Sequence, residues 1–164
     1  MNKNETLIAV SESGRFWSVA FEELSRPEQV FRSVWDLESD VNNGGFDQYY
    51  WNSSGDTAFA AVDALVEISA HATAAIVTRA HEAFPGGAPS KDQSTRQELV
   101  EAITAEAEGR WESLDSEFCR YPDDLTELLF RYVKRHASSI EGIGPADLAS
   151  VDDGDGPTSG PSEG

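Results

Sequence analysis

Asn42-Asn43-Gly44-Gly45-Phe46-Asp47-Gln48-Tyr49-Tyr50-Trp51-Asn52, NNGGFDQYYWN, puts two leading amides, two glycines and four aromatic residues into one short stretch. Upstream, Ser25 and Glu28 have the spacing of a capping box, and Pro27 is tolerated in a first helical turn. The helix they start buries Val30, Val34, Leu37 and Val41, flanked by Phe31 and Trp35. Asn42, Asn43 and Gly44 mark its end, because a glycine just past a helix takes the left-handed cap conformation cheaply. Phe46, Tyr49 and Tyr50 then recur at i, i+3 and i+4, so they share one side of a short helix and plug a core. Asn52-Ser53-Ser54-Gly55 stops it. The stretch reads as a corner between helices.

The same period runs outward in both directions. Phe16, Trp17, Ala20, Phe21 and Leu24 fall on one face of a first helix. Residues 56–70 and 71–84 read as two packed helices, and Phe84–Ser90 (FPGGAPS) as the clearest loop. Ser90 with Gln93, or Ser94 with Gln97, caps the helix that follows. A final helix begins near Pro122, with Asp123 and Asp124 at its positive end and Lys134, Arg135 and His136 at its negative end. No segment alternates like a strand. The expected fold is all-α: a compact single-domain bundle of roughly six to eight helices over 1–149, with a disordered Gly/Ser/Pro/Asp tail over 150–164.

Charge is the outlier of the composition. Thirty acids face twelve bases, a formal net charge of −18, and residues 1–149 keep 26 of those acids with every base. Such a field repels nucleic acid and anionic membranes and attracts basic partners. No apolar run is long enough for a transmembrane helix, and the opening MNKNETLIAVSESG lacks the pattern of a secretory leader. Cys119, the one cysteine, suits a reducing cytoplasmic setting and, between Phe118 and Arg120 and close to Tyr121, reads as an inert core thiol.

If Ser94 to Phe118 is one helix, Leu99, Val100, Ile103, Ala107, Trp111, Leu114 and Phe118 occupy an arc of about 120°. Glu98, Glu101, Glu108, Glu112 and Asp115 occupy the adjacent arc, a stripe about 26 Å long with roughly one charge per 5 Å. A DNA strand carries a phosphate per ~3.4 Å, so the stripe could meet lysines and arginines that normally hold phosphates. The competing reading is an ordinary solvated face, and Gly109 is where the stripe would break.

Asp63, Glu67 and His71 recur every four residues and would make a carboxylate–histidine edge on one continuous helix. No second motif such as Glu-x-x-His supports a metal site, so neither metal nor cofactor is expected. His81 and His136, with polar neighbours, read as surface or boundary residues. Gly44-Gly45 and Gly86-Gly87 lack the context of a phosphate loop, and no nucleophile elbow is present. The expected class is a binding protein, not an enzyme; the alternative is an enzyme or metal-binding protein of unknown activity, resting on the Asp63–Glu67–His71 edge and the amide-rich corner.

The series NNGGFDQYYWNSSGD, then ALVEISAHATAAIVTRAHEAF and LDSEFCRYPDDLTELLFRYVKRH, resembles the small acidic DNA-mimic protein family over about Phe31 to His136. The resemblance carries the family signature onto Asn43, Gly44, Gly45, Phe46, Gln48, Tyr49, Asn52 and Gly55, and its helix start onto Pro122, Asp123, Asp124 and Leu125. It implies a dimeric all-α protein that presents DNA-like charge to a DNA-binding regulator. The glycine, amide and aromatic signature itself suits a structural corner. One departure is Ile68-Ser69-Ala70, where the family leads one to expect Ile-Gly-Ala. The partner so implied is a basic DNA-binding protein; an alternative binding role is an immunity-type protein that neutralises a nuclease or other toxin. No direct contact with nucleic acid is expected.

Overall fold

The 26-residue helix α2 (Arg26–Trp51) is the shaft against which most other elements pack. The computed structural model describes residues 2–13, 15–144 and 148. Among them, α1 (Lys3–Ser13), α2, α3 (Ala58–Glu67), α4 (His71–His81), α5 (Gln93–Glu101), α6 (Ala105–Cys119) and α7 (Leu125–Arg135) are linked by turns and four short 3-10 segments. No described residue lies in a strand. The tail from Ser150 lies outside the described residues.

The capping box forms as its spacing predicts. Ser25 Oγ accepts from the Glu28 N–H at 3.3 Å, and the Glu28 carboxylate accepts from the Ser25 N–H at 3.0 Å. Val30, Phe31, Val34 and Leu37 are fully buried, with Val41 nearly so. The helix does not end at Gly44, however. It passes through Gly44 and bends at Gly45 (φ 79°, ψ −175°), a region open essentially to glycine alone, before continuing to Trp51. Phe46, Tyr49 and Tyr50 are fully buried beyond the bend.

The first helix is not where periodicity puts it. Residues 15–24 form turns and a 3-10 segment at Phe21–Glu23, while α1 occupies Lys3–Ser13. Phe16 and Leu24 are buried as expected, but as the anchors of a strap across α2. Phe16 stacks on Phe31 at 4.9 Å between ring centroids, and Trp17 donates its indole N–H to Ser11 at 3.0 Å. Loop residues that reach one core can mimic a helical spacing without helical backbone. α1 itself buries chiefly Leu7 and Val10, and packs on α7.

α3 and α4 form a hairpin beside α2. Ser69, in the turn between them, adopts φ 67°, so Asp63 and Glu67 lie on a different helix from His71 and the four-residue edge is broken. Glu67 instead pairs with Arg26 at 3.2 Å and accepts from the Tyr132 hydroxyl at 3.1 Å. Glycine adopts the left-handed backbone found at Ser69 more cheaply than serine does, in keeping with the Ile-Gly-Ala that the resemblance leads one to expect. Ser69→Gly is expected to raise unfolding free energy by about 0.5–1 kcal/mol, measured by urea denaturation.

Two further expectations change. Cys119 is exposed at the last position of α6, one residue past buried Phe118. His81 is buried, with Nδ1 2.7 Å from the Tyr50 hydroxyl and Nε2 3.0 Å from the Ala58 carbonyl. A carbonyl only accepts, so Nε2 carries the hydrogen and Nδ1 accepts from tyrosine: a neutral ring satisfied at both nitrogens. Burial lowers its pKa to about 4. Asp36, also buried, is pushed up to about 7, first by burial and then by Asp40 and Asp56, against the Thr57 hydroxyl and Arg32.

These two groups pull stability in opposite directions. Between pH 6.5 and 4 the unfolded chain binds a proton at His81 that the fold refuses, so this contribution falls as pH falls. Between pH 3.8 and 7 the fold holds a proton at Asp36 that the unfolded chain has released, so that contribution falls as pH rises. Relative to the parent, Asp36→Asn should therefore gain stability from pH 4 to 7, by up to about 1.4 kcal/mol per unit. His81→Gln should gain as pH drops from 6.5 to 4. Denaturation midpoints across that range check both signs.

Candidate functional site

The six residues Phe46–Trp51 are too few to hold a helix unaided, and α5 and α6 supply what they lack. At the N-terminal end, Asp115 Oδ1 on α6 accepts from the Phe46 N–H at 2.8 Å. A side chain on Gly45 would collide with that same carboxylate, so glycine is required there for space as well as for φ. At the C-terminal end, Arg96 on α5 donates to the carbonyls of Tyr50 at 2.6 Å and Asn52 at 2.8 Å. Gln93 and Gln97 both donate to the Trp51 carbonyl, at 3.2 and 3.0 Å. The carbonyls that a helix end leaves open are thus taken by one polar face of α5.

Arg96 is completely buried and fully satisfied. Its remaining N–H groups reach Ser90 and Lys91 carbonyls and Asp56 Oδ1, the last at 2.9 Å. Five donors meet five acceptors. A Cβ at Gly55 would stand 2.6 Å from Arg96 Nε, so the third signature glycine makes room for the guanidinium. Gln48 lies over Gly44 and donates to Asp40 at 3.2 Å, Asn43 is exposed, and Tyr49 is buried. The signature residues Asn43, Gly44, Gly45, Phe46, Gln48, Tyr49, Asn52 and Gly55 thus lie at and around the corner where α5 and α6 meet α2.

The acidic stripe does not run along one helix. α5 ends at Glu101, Ile103 turns back onto the Val100 carbonyl, and Thr104 caps α6 by accepting from Ala107 at 3.3 Å. Glu98 and Glu101 thus belong to a different helix from Glu108, Glu112 and Asp115. Gly109, the expected weak point, lies within continuous α6. The cap of α5 is Asp92, which accepts from the Thr95 N–H at 2.8 Å, in place of Ser90 or Ser94. Separate helices let α6 turn Ala107, Trp111, Leu114 and Phe118 inward, with Trp111 Nε1 donating to Ala80 at 2.9 Å.

What the fold brings together is a patch where α6 crosses the bend of α2. Asp115 is half-buried; burial, opposed by the Phe46 N–H and reinforced by Asp47 and Glu112, raises its pKa. Asp47, Glu108 and Glu112 are exposed around it. Asp47 was hidden from sequence reasoning, because its neighbours are set by the bend at Gly45 and not by any period. α6 carries five acids and one base, whereas α7 carries one acid and three bases. Carboxylates and cations are segregated between these two helices.

A family model described as DMP19-like protein matches residues 22–136, from the 3-10 segment before α2 to the end of α7. The chain belongs to this family. In the DMP19-like name, DMP denotes a DNA mimic protein. The match includes both the corner and α6, and leaves α1 outside. No curated protein and no solved structure matches the chain. No helix among the described residues is long and apolar enough to cross a membrane, and none of their His, Cys, Asp and Glu side chains group for a metal ion.

Arg96→Lys tests the corner. An ammonium offers three donors without the planar fork, leaving buried carbonyls unpaired. A loss of about 3 kcal/mol or more is expected in chemical denaturation, despite the conserved charge.

Proposed function

We propose that this chain is a non-enzymatic binding protein whose patch at the α2–α6 crossing occupies the basic surface of a nucleic-acid-binding protein. The supporting observation is the convergence of Asp47, Glu112 and Asp115 from two helices, with Glu108 one turn along α6. On α6, Glu108, Glu112 and Asp115 rise about 6 and 4.5 Å apart along the axis, near the spacing of phosphates on a strand. The family name agrees with such imitation.

The mechanism is competition for a surface. Lysines and arginines of the partner exchange phosphate contacts for carboxylate contacts, and the long-range field speeds encounter. Of the five acids read from sequence, Glu108 and Glu112 are the exposed contact groups on α6. Asp115 serves first as the anchor of Phe46, and Glu98 and Glu101 on α5 extend the acidic surface. A transcription regulator is the favoured partner. A nuclease or other toxin with a basic substrate groove presents the same chemistry, and the chain acts in the cytoplasm as one copy or as a homodimer.

Affinity capture from native cells, followed by titration of the captured protein over a salt series, tests this reading. Asp47→Asn, Glu108→Gln and Glu112→Gln combined should leave the melting temperature unchanged, weaken the complex on the order of tenfold, and flatten its salt dependence. A partner that is not basic, or an affinity indifferent to salt in the parent, rejects it.

A further inference from the structure

Phe59 is an aromatic side chain that α3 leaves exposed, and its ring face is already in use. The Lys91 ammonium stands over it, 4.1 Å from the centroid. The Phe21 ring meets Phe59 edge to face, at 5.5 Å and 75°. Gln29 fixes the backbone behind that second ring by donating to the Phe21 carbonyl at 2.9 Å. The two rings wall a groove of about 310 Å³, whose lining also includes Glu22, Asp63 and Lys91, all exposed. Arg26 lines it too, but its guanidinium is committed to Glu67 at 3.2 Å. The 3-10 segment, the start of α2, α3 and the approach to α5 thus converge on one groove, and no residue of α6 belongs to it.

The chemistry of the lining selects the occupant. An aromatic face is electrically negative, so two rings beside two carboxylates favour an organic cation. A metal ion would use the carboxylates and leave the rings idle. An anion would be repelled by Glu22 and Asp63, and a neutral group would leave their charge unanswered. Lys91 is the second, independent observation: an ammonium at the end of an alkyl stem already sits on Phe59. That contact is exposed, so a competing cation can displace it.

We propose that this groove receives a lysine side chain of the basic partner, whose ammonium replaces that of Lys91 on Phe59 and faces Glu22 and Asp63. The partner's basic character rests on the preceding reading. The groove adds an anchor that shares no residue with the patch on α6. Lys91 is then a tethered stand-in that covers the aromatic face until the partner arrives.

The probe is Nα-acetyl-lysine methylamide, titrated into the isotope-labelled full chain and followed by NMR, with the norleucine analogue as its uncharged counterpart. Saturable shifts at Phe59, Asp63 and Lys91 are expected with the lysine compound alone. Lys91→Met keeps the stem and removes the competing charge, so it should tighten binding about threefold, the worth of an exposed cation–aromatic contact. Lys134→Met on α7 removes the same charge outside the groove and should do less. Phe59→Leu should abolish the shifts. Equal binding of the norleucine compound, equal effects of the two lysine substitutions, or binding retained by Phe59→Leu overturns the proposal. Tighter binding of choline than of the lysine compound assigns the groove to a free organic cation and overturns it as well. With a captured partner, Phe59→Leu combined with Asp63→Asn should weaken the complex. If only the substitutions on the α6 patch weaken it, the groove is rejected and the patch stands; if only the groove pair does, the patch is rejected and the groove stands.

Discussion

Six residues after Gly45 are held as a helix by charges borrowed from elsewhere in the chain. Asp115 sits at the positive end of Phe46–Trp51 and Arg96 at the negative end, the arrangement the peptide dipoles favour. Each is also hydrogen-bonded directly to the backbone groups that a helix terminus leaves open. Each needs a glycine beside it, Gly45 for the carboxylate and Gly55 for the guanidinium. Without this clamp, Tyr49 and Tyr50 would lose the backbone that carries them into the core, and α5 and α6 would lose their main contacts with α2. The glycine, amide and aromatic signature is thus a set of places where other elements approach the backbone closely.

That arrangement divides the acidic residues by task. Asp115 is partly desolvated and committed to Phe46, while Asp47 and Glu112 press against it with like charge. The fold tolerates the repulsion because a backbone N–H opposes it. The neighbours Asp47, Glu108 and Glu112 are exposed, and in the proposed complex they would be the groups that give up hydration to a partner. A charged surface built over such an anchor is rigid, and rigidity lowers the entropic cost of meeting a partner. Several of the chain's few bases are paired: Lys3 with Glu127, Arg15 with Glu28, and Arg79 with Glu117 on α6 itself. On α6, acids outnumber bases five to one.

Much of this architecture is legible in one dimension. Ser25 and Glu28 announce the start of α2, and Val30 to Val41 announce its buried face, because capping and periodicity act over a few residues. Asp124 at the start of α7 and Lys134 and Arg135 at its end follow the same local logic. The misreadings share a different cause. Phe16, Trp17 and Leu24 have helical spacing but are ordered by packing onto α2. Gly44 and Gly45 are equivalent as letters, and only the carboxylate arriving from α6 makes the second one bend. The Ser94–Phe118 pattern is continuous in hydrophobicity, yet Thr104 restarts the helix so that Trp111 can reach Ala80. His81 looks polar among polar neighbours until Tyr50 and Ala58 close over it.

The sequence alone determined an all-helical chain, a family signature at its centre and a large excess of negative charge, since composition, capping and period are properties of near neighbours. Tertiary structure alone decided which carboxylates stand together. Asp47 and Asp115 are 68 positions apart. Their proximity depends on one glycine's backbone angle and on the crossing of two helices, and no local pattern encodes either.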